Sequence, residues 1–291
     1  IEATDEWALG AFSETTGFPA TICFYEERLV LGGTTEQPQT LFFSESGGFE
    51  QFQDGPDDAD AMRYTIAAQT VDQIRFLMPG RVLIVGTSGG EFAASSSASG
   101  EPITPTNIQV KRQTTYGSAK VTPIQSGNAV LFLQRARRKI RELVFNFDVD
   151  GFIAPDMTIL AEHITEGGVV DMTLQQEPDN VIWAARGDGV LLGLTHRREE
   201  QVVAWHLHKL GGTFTGVVGS AVSQTYDHAI VESVATIPGD LSEDELYLVV
   251  RRTVNGIEKR FVERLAPLDF GSDVSDAIFL DSSLTFAGVT S

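Results

Sequence analysis

The sequence predicts an all-β fold, β-propeller-like, with about five recognisable blade repeats and one short helix. Three observations lead there. The chain repeats itself, each repeat is built from strand-like runs joined by short polar turns, and the most apolar run of each repeat recurs about every 50 residues. Such a period with several strands per repeat is the signature of radially stacked sheets. A β-sandwich, the alternative, spaces its strands more closely and evenly.

The first two repeats align directly. Arg28-Leu29-Val30-Leu31-Gly32-Gly33-Thr34 corresponds to Arg81-Val82-Leu83-Ile84-Val85-Gly86-Thr87, 53 residues further on. Alternating runs precede them (Ile22-Cys23-Phe24 and Ile74-Arg75-Phe76), and strand-like runs follow (Thr40 to Ser44 and Glu91 to Ser95). The third repeat runs from Ile124 to Leu133 and continues from Lys139 to Phe145. The fourth comprises Met172 to Leu174, Asn180 to Ala185, Val190 to Thr195 and Val202 to Leu207. Its Asp188-Gly189 is a strong hairpin signal between two apolar runs. The fifth comprises Ile230 to Ile237, Glu245 to Arg251 and, after Asn255-Gly256, Glu258 to Leu265. The central run of each repeat is apolar on both faces, as a strand between stacked sheets must be, whereas the outer runs alternate and carry charge.

The short helix is expected from Pro155-Asp156 to about Thr165, with Met157, Leu160, Ala161 and Ile164 facing inward and Gly167 as its stop. Asp54 to Ala61 and Ala94 to Pro105 read as loops between repeats. Residues 1–275 are expected to form one platform domain, and 276–291 the start of a further strand or a truncated C-terminal domain, with a strand-like run from Leu284 to Val289. Trp7 to Phe12 is a candidate late strand closing the last blade. The start at Ile1, without a signal peptide, leads to the expectation of a trimmed piece of a longer chain.

The 291 residues carry 21 Lys and Arg against 40 Asp and Glu, a net charge of −19. That charge opposes tight nonspecific binding to nucleic acid or to anionic membranes. It serves solubility or a more specific role, and composition does not choose between them. The single cysteine, Cys23, has no internal disulfide partner, which fits assembly in a reducing cytosol. The longest apolar runs, such as Val82–Val85 and Ala129–Leu133, fall far short of the ~18 residues of a membrane helix.

Chemical signals are few. Gly86-Thr87-Ser88-Gly89-Gly90 matches the pattern around a hydrolase nucleophile, but that elbow leads from strand to helix and here another strand follows. Asn146, Asp148, Asp150 and Gly151 open like a calcium loop, yet Met157 stands where a bidentate Glu belongs. His206 and His208 alternate on one strand and share a face, which could begin a zinc site, but no third ligand lies nearby and an exposed outer strand is the preferred reading. His163, His196 and His228 are isolated. Arg135, Arg137, Arg138, Lys139 and Arg141 are candidate subunit or partner contacts, suited to an acidic surface or to DNA; a solvated hairpin turn accounts for them too. No catalytic residue, cofactor loop or metal set is read from the sequence.

Several longer stretches resemble a family of phage and prophage proteins. They include Gly17-Phe18-Pro19-Ala20, Glu27 to Thr34, Gln37-Pro38-Gln39-Thr40, Pro105 to Val110 with Arg112 to Ser118, and Gly127 to Phe132. Ala154 to Thr158, Gln176-Glu177-Pro178 with Trp183, and Val190 to Thr195 continue the likeness, which spans about Gly17 to Leu265. The family is that of the tail nozzle, or tail tubular protein B, of short-tailed phages. The resemblance implies a β-propeller platform in a homo-hexameric ring below the portal and its adaptor, carrying fibres or spikes and conducting DNA during ejection. It implies a place in the virion tail, assembly in the bacterial cytoplasm, and no cofactor or stable membrane association. An acidic channel wall would let DNA pass without sticking. Two readings of other kinds stand beside it: a receptor- or glycan-binding propeller, and a carbohydrate-active propeller enzyme, which would need acids converging on a pocket.

Overall fold

Short strands joined by tight turns build six small antiparallel sheets, each running up and down in chain order. The computed structural model describes residues 10–68, 70–98, 100–219, 221–239, 243–267 and 269–278. The first sheet holds β1 (Thr21–Tyr25), β2 (Arg28–Gly32), β3 (Thr40–Phe43) and β4 (Met62–Thr65). The second holds β5 (Ile74–Met78), β6 (Leu83–Thr87), β7 (Glu91–Ser96) and β8 (Ile108–Thr114). The third is β9 (Ile124–Ser126), β10 (Ala129–Leu133), β11 (Ile140–Asn146) and β12 (Gly151–Ile153). The fourth is β13 (Val169–Gln175), β14 (Val181–Arg186), β15 (Leu191–Arg197) and β16 (Val202–His208). A hairpin of β17 (Phe214–Gly216) and β18 (Gln224–Tyr226) follows. The last sheet has three strands, β19 (Ile230–Ile237), β20 (Glu245–Val254) and β21 (Ile257–Arg264). The chain is thus all-β and propeller-like, with the five repeats each seated on a sheet of their own.

Two compact units share these sheets. One comprises residues 1–136 and 140–156, and the other residues 137–139 and 157–291. In the first unit a core of Val30, Leu41, Phe43, Ile74, Leu83 and Val85 lies between the first two sheets. Phe76, Ile84, Phe132 and Leu143 fill the space between the second and third. In the second unit Trp183, Ala185, Leu191, Val231, Leu248 and Val250 join the fourth sheet to the last. The central strand β6 is buried along its whole length, as stacking between the first and third sheets requires, and β10 is buried along nearly all of its own. β20 instead alternates between buried and half-buried residues, the pattern of a strand covered on one face.

Turn chemistry explains where the strands end. Asn255 and Gly256 both take positive φ, 53° and 76°, as a two-residue hairpin needs. Gly189 has φ 89°, and Asp188 beside it receives a bidentate pair of bonds from Arg186 at 2.7 and 2.8 Å. The matching threonines of the first two repeats close equivalent turns: Thr34 Oγ1 accepts from the Gln37 amide at 3.1 Å and Thr87 Oγ1 from the Gly90 amide at 3.1 Å. Both are fully buried.

Two expectations are corrected. The predicted helix over Pro155–Thr165 is absent. Asp156 pairs with Arg141 in a β-bridge, and the residues beyond form successive turns closed by Ala161 N–H to Thr158, Ile164 N–H to Ala161 and Gly168 N–H to Thr165. Each bond spans three residues. The Arg186 guanidinium takes the Ile164 carbonyl at 2.6 Å, and the Thr165 hydroxyl reaches Arg138 O at 2.6 Å. These tertiary bonds hold the end of the segment in its turns, and a segment this short cannot meet the cost of helix nucleation alone. Ile164 is buried as expected, but Leu160 is 91% exposed. Among the described residues the sole helical element is a 3-10 turn, Val274–Asp276.

The second correction concerns the loops. Residues 54–61 lie inside the first sheet, between β3 and β4, and the Ser- and Gly-rich segment after β7 lies inside the second. Arg28 explains the first: buried, it donates to the Asp58 carbonyl at 2.5 Å and the Asp60 carbonyl at 2.6 Å, folding the acidic loop back onto the sheet. The candidate closing strand is not seen at Gly10–Phe12; Phe12 instead packs edge-on against Phe42 with centroids 5.0 Å apart. Residues 7–9 and Leu284–Val289 lie outside the described residues.

Candidate functional site

The second unit contains a cavity of about 980 Å³, a size that admits a small ligand. On the fourth sheet Thr173, Trp183, Gly193 and His206 stand opposite one another on β13 to β16, and Trp183 and His206 of this row line the cavity. Gly193 is required there. A Cβ at this position would fall inside the His206 ring, so only glycine lets the imidazole lie against the sheet. Trp183 is buried and donates its indole N–H to Gln175 Oε1 at 2.8 Å. Its ring meets His206 edge-on, with centroids 5.4 Å apart, and lies 5.5 Å from His208.

Four carboxylates around the cavity, Asp179, Asp244, Glu245 and Asp269, are engaged in bonds within the fold. Asp244 accepts the backbone N–H groups of Gln176 at 2.7 Å and Glu177 at 3.2 Å. Asp179 is bound to Arg197. Glu245 is bound to Arg264 and accepts the Tyr247 hydroxyl at 2.7 Å, and these partners hold its carboxyl below the usual range despite some desolvation. Asp269 accepts the Gly271 amide at 2.8 Å.

The basic candidates separate. Arg135, Arg137 and Arg138 are exposed at the turn between β10 and β11. Lys139 is half-exposed and pairs with Glu162 at 3.2 Å. Arg141 does not belong to that surface: it is buried, donates to Gln134 at 2.8 Å and Ala154 O at 2.7 Å, and stacks over Tyr116 at 3.4 Å.

The other motifs take structural roles. Ser88 sits in the hairpin turn between β6 and β7, with a strand and not a helix after it. Asn146 to Gly151 close the hairpin of β11 and β12, where Asn146 Oδ1 accepts the Asp148 amide at 2.8 Å. Among the described residues no group of three or more His, Cys, Asp or Glu is placed to hold a metal ion.

Sequence reasoning missed Glu91. It is fully buried at the start of β7 and accepts hydroxyls from Thr114 and from Ser118, the latter at 2.7 Å, and the Tyr116 amide. Burial pushes its carboxyl up, against the downward pull of these bonds and of Arg141. The signal was a lone acid in the apolar run Glu91-Phe92-Ala93-Ala94.

No family model matches the chain, and no curated protein sequence is similar to it. Similar solved structures include an auxiliary nutrient-binding protein of Bacteroides thetaiotaomicron, at 9% identity and TM-score 0.41 over 84% of this chain. The chain spans 57% of that protein. The Pan2 WD40 domain of Neurospora crassa is 13% identical, with TM-score 0.38, over 81% of this chain and 75% of its own. A luciferin-regenerating enzyme is 12% identical, with TM-score 0.33, over 84% and 88%. At these values the likenesses say nothing of function, and the propeller-like description rests on the chain's own sheets.

Proposed function

We propose that the chain is a structural module of the tail nozzle of a short-tailed phage, forming with its copies a ring that conducts DNA and carries fibres or spikes. One observation carries this reading: the sequence likeness from about Gly17 to Leu265, whose motifs fall mainly on strands and turns that build the sheets. Its role is mechanical. Densely packed sheets resist deformation, and a net charge of −19 would let a polyanion pass without capture. Exposed Arg135, Arg137 and Arg138 are the groups suited to an acidic neighbour. Light scattering followed by electron-microscopic class averages tests the reading. Sixfold rings, with no retention of linear DNA at low salt, are expected. A monomer at every concentration, alone and with the portal adaptor, would overturn it.

A second reading, a receptor- or glycan-binding propeller, is favoured by the cavity beside Trp183 and the two histidines. Saturable glycan binding by a monomeric chain, lost in Trp183→Ala, would put it first.

A further inference from the structure

His206 and His208 stand two residues apart on β16, so both rings leave one face of the sheet. Three features fix where they meet. Gly193 on β15 leaves room for the His206 ring, Trp183 on β14 walls both rings, and the cavity opens beside them. His206 Nδ1 lies 2.7 Å from His208 Nε2. Two nitrogens at this distance share one proton: one ring donates it and the other presents a lone pair. Burial holds both rings below the usual histidine range, and at His206 the neighbouring His208 adds to the effect. A neutral imidazole, with one nitrogen lone pair free, is the form that ligates metals.

We propose that His206 and His208 form a two-point imidazole chelate for a divalent transition metal of the zinc, nickel or copper class. The inference goes beyond both readings above. A tetrahedral ion with metal–nitrogen bonds of about 2.0–2.1 Å needs its two nitrogens roughly 3.3 Å apart. Opening the pair from 2.7 Å takes small rotations of two side chains, His206 half-buried and His208 exposed. The proton between the rings passes to the far nitrogen of the ring that carried it, so the pair stays neutral and no net proton is released. With no third His, Cys, Asp or Glu converging among the described residues, the remaining positions go to water or to an external ligand. The site is open, and imidazole donors favour borderline metals over calcium or magnesium.

Titration calorimetry of the intact chain with Cu²⁺, Ni²⁺ and Zn²⁺ at pH 7.5 tests this. One saturable site is expected, tightest for Cu²⁺, with Trp183 fluorescence quenched by Cu²⁺. Loss of an outer-shell partner alone costs 10–100-fold in metal affinity, so His206→Ala and His208→Ala should each weaken binding at least about tenfold. His163→Ala, at an exposed histidine elsewhere, should leave it unchanged. Electron paramagnetic resonance of the Cu²⁺-loaded native chain needs no variant and should show two imidazole nitrogens on the metal. Absence of saturable binding, binding that survives both substitutions, or a copper signal with fewer than two imidazoles would overturn the proposal.

Discussion

Replacing Glu91 by alanine is expected to destabilise the chain by about 3–5 kcal/mol, because its buried donors would lose their acceptor. The acceptors at Glu91 serve the Thr114 and Ser118 hydroxyls and the Tyr116 amide. The hydroxyls can rotate, which limits each loss to about 1 kcal/mol, whereas the fixed amide would be stranded at about 1–3 kcal/mol. Glu91→Gln keeps one acceptor and the shape, and should cost about 1–2 kcal/mol. Urea unfolding measures both, as shifts in midpoint at constant slope. The pH dependence supplies a sharper check. Burial raises the Glu91 pKa in the folded chain. Its favourable contribution is therefore complete below the unfolded value, near 4.3, and is lost as pH rises through the folded value. The stability gap between the native chain and Glu91→Gln should then narrow as pH rises from about 4. A gap that widens would mean that the hydrogen bonds and Arg141 outweigh burial. An alanine cost below about 1 kcal/mol would refute the whole account.

Gly193→Ala should cost about 1–3 kcal/mol, since its Cβ would occupy the His206 ring. In the His206→Ala background most of that cost should vanish, and additive losses in a double-mutant cycle would contradict the seat described for the ring. Asp171 Oδ2 accepts the Ser233 hydroxyl at 2.6 Å and the Val234 amide at 3.1 Å, tying β13 to β19, so Asp171→Ala should lower the chemical-denaturation midpoint by the equivalent of about 1–3 kcal/mol. Burial pushes the Cys23 thiol up to about 12, leaving almost no thiolate at pH 8. Alkylation there should run at least about a hundredfold slower than in urea-unfolded chain, and a native rate within tenfold of the unfolded one would place the thiol in a different environment.

Much of the fold was legible in the residues because its signals are local. Two-sided apolar runs marked β2, β6, β10 and β14, and Asp188-Gly189 and Asn255-Gly256 marked two hairpins. Three outer strands were harder to read. β4, β8 and β12 are short or polar, reading Met-Arg-Tyr-Thr, Ile-Gln-Val-Lys-Arg-Gln-Thr and Gly-Phe-Ile, and only pairing to an inner strand identifies them. The helix was misread for a related reason. The spacing of Met157, Leu160, Ala161 and Ile164 is helical, but Arg186 and the Arg138 carbonyl claim groups within the segment from outside it. At the candidate site, the alternation of His206 and His208 was visible in the sequence. Gly193 and Trp183, which seat the two rings, were not connected to them.

The sequence by itself determined the class of the fold, the repeat and most strand positions, since two-residue alternation and turn chemistry act over a few residues. It also determined a net charge of −19, a property of composition alone. Only the tertiary structure decided which side chains meet. Register set Gly193 opposite His206, brought Ser118 and Thr114 to Glu91, and withdrew Arg141 from the exposed arginines beside it. Those contacts join residues that chain order separates, and a shift of one position would turn each strand's side chains to the other face.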